Sequence, residues 1–338
     1  MMRESDIDAA AGPKTTAPLV SIIIPTYNRA ALLKEAIDSA LAQTYRNLEV
    51  VVADNASTDD TQAVCTGYAN DPRVRYFKNS ANIGMVGNWR KALLEHATGE
   101  WFLLLSDDDL LLAPGYIAEA VQLIHEFPKM VLVYANGYRR TGSMDTPLDL
   151  PFGRNQSGKI VFLTRDAVGP QDFMLCNVIF NRGLAVKLDA FSNEQNIACD
   201  SELFLEMCLF GDVGYIAEPV SAYRIHENNL IQNYSQNSEM LLNHMDWFIR
   251  PYGMAAGAGL FTAEELALWR KRVVLGQLIN IYKSIIILHK ARFFELTYAM
   301  FKKSGISLRE FAYVNAVILS HIILKLLYWG RRRGSSRP

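Results

Sequence analysis

LVSIIIP (Leu19–Pro25), followed at once by TYNR (Thr26–Arg29), is the stretch on which the fold turns. A short, β-branched apolar run reads as a strand buried on both faces, as in a parallel sheet covered by helices. Downstream, AALLKEAIDSALAQ (30–43) spaces its apolar residues for a helix, and LEVVVADN (Leu48–Asn55) is a second buried strand ending in polar residues. Ser57, Thr58 and Asp59 offer N-cap and first-turn chemistry for the next helix. VRYFKN (Val74–Asn79) predicts a third strand, Asn88–His96 a further helix, and EWFLLLSDDD (Glu100–Asp109) a fourth strand running into three carboxylates. This alternation predicts an α/β fold with right-handed crossovers. Polar residues fall just past three strands, at Thr26–Arg29, Asp54–Asn55 and Asp107–Asp109. Ligands of open α/β sheets bind outside the carboxyl ends of the strands, where these clusters would converge.

The rest of the 338-residue chain bounds the answer. With 34 Lys+Arg against 35 Asp+Glu and half its residues apolar, it is neither a disordered acidic chain nor a globally basic nucleic-acid binder. The net charge of -1 is uneven. Residues 301–338 hold eight basic residues against Glu310, a net of +7, which leaves -8 on residues 1–300. Cys65, Cys176, Cys199 and Cys208 have no C-x-x-C spacing and read as buried thiols in a reducing compartment. The first 17 residues are small and polar and predict a disordered lead-in without a secretory h-region, which makes the cytoplasm the default location. Between Val131 and Tyr223 the pattern is less regular: a Gly/Pro/polar stretch (Thr141–Gly158), then a helix in ACDSELFLEM, then VGYIAEPVSAYRIH as a strand pair or one flanked strand. From Ser238 onward the pattern is helical.

Three adjacent carboxylates at the end of a buried strand repel one another. A divalent cation with a preference for hard oxygen ligands would offset that repulsion, which points Asp107, Asp108 and Asp109 toward Mg²⁺ or Mn²⁺ and a phosphate-bearing substrate. A solvated acidic turn is the alternative. Asp54 has two readings of equal weight, an acceptor for a nucleotide base or ribose and a plain Asx turn with Ser57.

The ordered set VSIIIPTYNR, EVVVADNASTDDT, NIGMVGNWRKAL with TGEWFLLLSDDD, and ACDSELFLEM resembles the family 2 glycosyltransferases, which share the nucleotide-sugar-dependent GT-A fold. The resemblance is dense from Leu19 to Asp109 and sparser through Asp200 and YRIH (Tyr223–His226). It implies a mainly parallel, mixed sheet flanked by helices, in a GT-A domain at 18–230 with a nucleotide-sugar half (18–110) and an acceptor half (111–230). The C-terminal third carries no family signal, and the helical extension at 231–338 is read from its own pattern. The resemblance implies that Pro25, Thr26, Tyr27, Asn28, Asp54, Asn55, Asn82 and Gly84 line the nucleotide-sugar pocket. In the family a D-x-D contacts the ribose and holds the metal. The common form is L-D-S-D-D, whereas this chain has L-S-D-D-D. Ser106 then stands at the first acidic position and leaves Asp108 and Asp109 as the pair. The favoured assignment instead gives Asp109 and Asp107 the metal and ribose roles, with Asp107 and Asp108 also lining the nucleotide-sugar. His226 completes the metal site or contacts the diphosphate, and Arg224 is a phosphate clamp. Asp200 is the base of an inverting transfer, with Glu202 as the alternative and a helix N-cap as the structural reading.

The C-terminal stretch FAYVNAVILSHIILKLLYW (Phe311–Trp329), followed by Arg331–Arg333, is long enough to span a bilayer. Asn315, Ser320, His321 and Lys325 favour an interfacial helix, and the flanking aromatics and cations fit anionic lipid. A core helix or a homo-oligomer contact is the alternative. The expectation is therefore a peripheral enzyme on the inner face of the cell membrane, contacting it through 307–338. It would transfer a sugar, UDP-linked in the usual case for such folds, to a saccharide or lipid-linked glycan acceptor, with no nucleic-acid partner. A nucleotidyltransferase would show a Gly-rich basic loop after the first strand, which PTYNRA lacks. A non-catalytic scaffold on the same fold is the remaining alternative.

Overall fold

The computed structural model describes residues 17–148, 153–164, 174–226, 237–318 and 320. Nearly all of the N-terminal lead, and the chain beyond Ser320 with its Arg331–Arg333 run, lie outside the described residues.

Ten strands form one sheet: β1 (Val20–Thr26), β2 (Leu48–Asp54), β3 (Val74–Lys78), β4 (Trp101–Leu104), β5 (Leu110–Leu111), β6 (Met130–Thr141), β7 (Met144–Pro147), β8 (Asn155–Ser157), β9 (Val178–Asn181) and β10 (Asp212–Ile225). Their order is β3-β2-β1-β4-β9-β6-β10-β5, with β7 and β8 paired onto β6 and β10. The β3-β2-β1-β4 block is parallel. β9 runs antiparallel to both β4 and β6, and β6 and β10 are again parallel. The sheet is the mixed, mainly parallel one that the sequence predicts.

Successive strand side chains point to opposite faces, and here both faces are covered. Ile22, Ile24, Val50, Val52, Trp101 and Leu103 pack on one side, with the helices Ala30–Leu41 and Tyr116–Glu126. Ile23, Val51, Phe102 and Leu104 pack on the other, with Trp89, Leu203 and Phe204. Two-sided burial explains why the strand sequences are unbroken apolar runs rather than alternations. The second core also takes in Trp247, Phe248, Trp269 and Tyr282, so the helices after residue 237 are continuous with the α/β core. Trp269 stacks on Phe162 at 4.7 Å and donates its indole N–H to the Phe162 carbonyl.

Several sequence-based boundaries shift. The third helix starts earlier than Asn88, at Met85, and runs through Lys91 into a π turn at Ala92–His96. The stretch 141–158 contains β7 and β8. VGYIAEPVSAYRIH is one strand, whose register shifts on either side of Pro219 absorb the proline. All four cysteines are free and buried, as the sequence predicts.

Candidate active site

Thr26 and Asp54 end β1 and β2 as register partners, and β4 on the other side of β1 leads to the three aspartates. Thr26 Oγ1 donates to Asp107 Oδ2 at 2.7 Å. Asn28 adopts φ 55°, a left-handed conformation that Asn tolerates better than most residues. It donates its backbone N–H to Ser57 Oγ at 2.9 Å and accepts from the Thr58 N–H at 2.8 Å. Asp59 accepts from the backbone N–H groups of Ala30 and Thr61, and so satisfies a donor at the start of two helices. The loops after β1 and β2 are thus tied together, and Tyr27 stands at the mouth, 46% exposed.

Asp54 is fully buried. Its Oδ1 accepts from the Ser57 N–H at 2.8 Å, the Asx turn, and its Oδ2 accepts from the Tyr76 hydroxyl at 2.6 Å. Asn55 donates to Asn82 Oδ1 at 2.8 Å and to the Gly84 carbonyl at 3.0 Å, and accepts from the Ile83 N–H. Gly84 sits at φ 82°, which only glycine adopts freely, immediately before the helix Met85–Lys91. Asn79 and Asn88 extend this buried amide network from below. The arrangement fixes the exposed Asn82–Gly84 edge over the strand ends.

The three aspartates are buried, and Asp107 and Asp108 share one partner. Arg29 bridges Asp107 Oδ1 at 3.0 Å and Asp108 Oδ2 at 2.7 Å. His226, just past β10, places Nε2 2.9 Å from Asp108 Oδ2. Asp109 Oδ1 accepts from the Arg224 backbone N–H at 3.0 Å, while the Arg224 side chain donates to the Asp108 carbonyl and to Glu35. Burial pushes the Asp109 carboxyl well above the ordinary range, and the Asp108 charge pushes the same way. Asp107 is raised by burial, with Arg29 opposing. Burial pulls the Arg29 guanidinium down, but the two carboxylates outweigh it and hold it above its usual value.

The expected metal set of Asp109, Asp107 and His226 therefore does not converge. His226 faces Asp108, and Arg29 NH1 occupies the space between the Asp107 and Asp108 carboxylates. Among the described residues no three His, Cys, Asp or Glu side chains form a ready metal group. The donor chemistry nevertheless fits a hard divalent cation: three buried carboxylates and one imidazole at a strand-end mouth, neutralised in part by the Arg29 guanidinium. Arg29 lies inside a polar cluster plain in the sequence, yet nothing local marks its role, since its partners are 78 and 79 residues away.

Asp200 is half-buried in the first turn of the helix Cys199–Met207, and its Oδ1 accepts from the Ser201 N–H at 2.7 Å. Glu202, two residues on in the same first turn, is buried and committed elsewhere. It accepts from Asn196 Nδ2 and from Arg250 NH1, both at 2.6 Å. Arg250 Nε also lies 3.1 Å from Glu206 Oε1, but without hydrogen-bond alignment. These contacts pin the loop before Asp200 to the C-terminal helices, as do Asn193 to Asp246 and Asn243 to Gln195. Glu202 belongs to that clamp, a geometry unsuited to proton abstraction. Arg250 and Glu206 carried no sequence signal, being an Arg and a Glu on helical segments far apart in the chain.

The strand-end arrangement defines a class, the GT-A fold. Solved structures of that kind align with most of the chain. Staphylococcus aureus TarS (residues 1–349) in complex with UDP-GlcNAc matches at TM-score 0.55 and 18% identity, covering 84% of this chain and 88% of that one. The mannosyltransferase PcManGT from Pyrobaculum calidifontis, in complex with GDP-Man and Mn²⁺, matches at TM-score 0.50 and 18% identity, covering 94% and 83%. The family model "Glycosyl transferase family 2" matches residues 21–182. A protein of Escherichia coli K12 named for colanic acid biosynthesis glycosyl transfer, WcaA, is 30% identical over 223 residues, 63% of this chain and 75% of the relative. A Campylobacter jejuni GalNAc(5)-diNAcBac-PP-undecaprenol β-1,3-glucosyltransferase is 39% identical over 111 residues, 32% of this chain and 35% of the relative. Against the rickettsial glycosyltransferases that head the curated relatives, the chain spans 37% of the relative's length or less. The chain belongs to glycosyl transferase family 2.

Proposed function

We propose that this protein is an inverting, metal-dependent glycosyltransferase that moves a sugar from a nucleotide-diphospho-sugar, UDP-linked, to a hydroxyl of a saccharide or lipid-linked glycan during surface polysaccharide synthesis. The observation that carries the reading is the convergence of Thr26, Asp54 and Asp107–Asp109 at the carboxyl ends of β1, β2 and β4. The UDP-GlcNAc and GDP-Man held by the neighbours support a nucleotide-sugar donor, and the undecaprenol-linked glycan in one relative's name supports a lipid-linked acceptor. The 18–110 half binds the donor and the 111–230 half the acceptor, with the helical region from 231 supporting the base.

Each role is local chemistry. Pro25, Thr26, Tyr27 and Asn28 line the nucleotide, with Tyr27 exposed as a stacking surface. Asp54 and Asn55 hold the floor, and Asn82 and Gly84 border the nucleotide along one edge. Asp108 and Asp109, with Asp107 and His226 beside them, hold Mg²⁺ or Mn²⁺, which when bound offsets charge on the departing nucleoside diphosphate. Arg29 and Arg224 add positive charge at the same mouth. Asp200 takes the proton from the acceptor hydroxyl, a role worth ~10²–10⁴-fold in rate. Membrane contact through 307–338 brings the enzyme to a lipid-linked acceptor.

Isothermal titration with a panel of nucleotide-sugars, with and without Mn²⁺, tests the donor reading. Metal-dependent binding that disappears in Asp109→Ala is the expected result. Absence of binding to any member would leave a non-catalytic scaffold.

A further inference from the structure

The helices Ala263–Leu288 and Lys290–Ser304 meet at a 109° bend. Their inner faces are core: Leu278, Ile281, Tyr282 and Ile285 from one, Leu296 and Met300 from the other. The outer side of the same corner is apolar and uncovered. Phe294 is 86% exposed, Tyr298 69%, Ile287 65% and Leu288 50%. Phe294 and Tyr298 are four residues apart and share one helix face. Lone exposed apolar residues are ordinary on a protein surface, but two large aromatics and two aliphatics at one corner mark a contact surface.

The charge around the corner says what it contacts. From Lys283 to Arg309 the chain carries Lys283, Lys290, Arg292, Lys302, Lys303 and Arg309 against Glu295 alone. Lys290, Arg292, Lys302 and Arg309 are exposed. Arg292 is paired with Glu295 and Lys303 with Asp246, which leaves the patch positive. Aromatic rings beside Lys and Arg match the headgroup layer of an anionic bilayer, where rings lodge at the boundary and cations meet phosphates. A two-fold dimer through the same patch would set these like charges against each other. Among the described residues no single helix is long and apolar enough to cross a membrane. The exposed aromatics set among these cations fit contact with a bilayer face.

We propose that the corner Ile287–Tyr298 docks this protein on an anionic lipid surface. The inference rests on the peripheral-membrane reading above and assigns it a new element, separate from 307–338. No step of sugar transfer enters it.

Co-sedimentation of the full chain tests it, with vesicles of equal parts phosphatidylethanolamine and phosphatidylglycerol compared with phosphatidylcholine vesicles. The wild type is expected to bind the anionic vesicles and not the neutral ones. Phe294→Ser with Tyr298→Ser is expected to lower the partition by roughly tenfold or more. Because both side chains are exposed, thermal unfolding and gel-filtration volume should not change. Arg331→Gln with Arg332→Gln and Arg333→Gln should retain most of the binding. Wild-type failure to bind anionic vesicles would overturn both the corner and the peripheral reading. Undiminished binding by the aromatic variant, with loss in the arginine variant, would overturn the corner and leave the peripheral reading standing. An aromatic variant that changes only the oligomeric state would assign the patch to a second copy of the chain instead.

Discussion

The candidate site, at the ends of β1, β2 and β4, and the helical region after Ser238 are built on opposite terms. The first concentrates buried charge and unusual backbone: three aspartates, an arginine between two of them, and positive φ at Asn28, Ala56 and Gly84. Such features cost stability locally and persist only where the surrounding structure over-determines them. The helical region holds its shape by ordinary packing, as in the stack of Phe162, Trp269 and Tyr252. Between them lies the Asp200 helix, which belongs to the sheet by its core and to the helical region by Arg250. The difference teaches that loss of function and loss of stability should separate by region, with the Asp200 loop as the place where they meet.

The sharpest break comes from the base. Asp200→Asn is expected to lower transfer ~10²–10⁴-fold while titration with UDP and Mn²⁺ stays at the wild-type affinity. If turnover survives intact, Asp200 is only a first-turn charge. At the strand ends, Asp109→Asn should abolish metal-dependent transfer and yet raise the melting temperature in EDTA. The neutral amide removes a carboxylate that burial and Asp108 both disfavour, while its carbonyl still accepts from the Arg224 N–H. A fall in melting temperature would contradict that account.

The clamp behind Asp200 gives a pH effect. Burial raises the Glu206 carboxyl to about 8, with Arg250 opposing. Between its ordinary value of 4.5 and about 8 the folded protein holds a proton that the unfolded chain has released, so stability falls as pH rises through that window. Urea unfolding at pH 5 and pH 8.5 should show the wild type losing on the order of 3 kcal/mol relative to Glu206→Gln. Equal slopes in the two proteins would rule out the titration. Arg250→Met should cost about 3 kcal/mol at neutral pH by leaving Glu202 uncompensated, and should lower the rate of transfer more than donor affinity. Gly84→Ala is the smallest change. A Cβ there meets nothing within 4 Å, so only the strain of φ 82° remains, about 1–2 kcal/mol by thermal melt.

The parallel block was legible because two-sided burial writes itself as runs such as SIII and VVVA. The polar clusters after those runs gave the site. β7 and β8 were not legible, since their exposed, mostly polar residues pair onto the longer β6 and β10 without an apolar pattern of their own. VGYIAEPVSAYRIH left a strand pair and one flanked strand open, and the register shifts around Pro219 make it one strand. The Arg29 bridge depends on β1 and β4 being neighbours, and the Arg250 clamp on how two helices pack. Neither adjacency has a local sequence signature.

Arg29 carries one more consequence. The carboxylates at the strand ends already have a resident counter-ion, so an arriving cation at Asp108 enters by exchange and not by simple addition. The affinity measured for any metal at this mouth is then a difference between two partners of the same acids. Arg29, anchored just before the helix Ala30–Leu41, would compete with such a cation for Asp107 and Asp108.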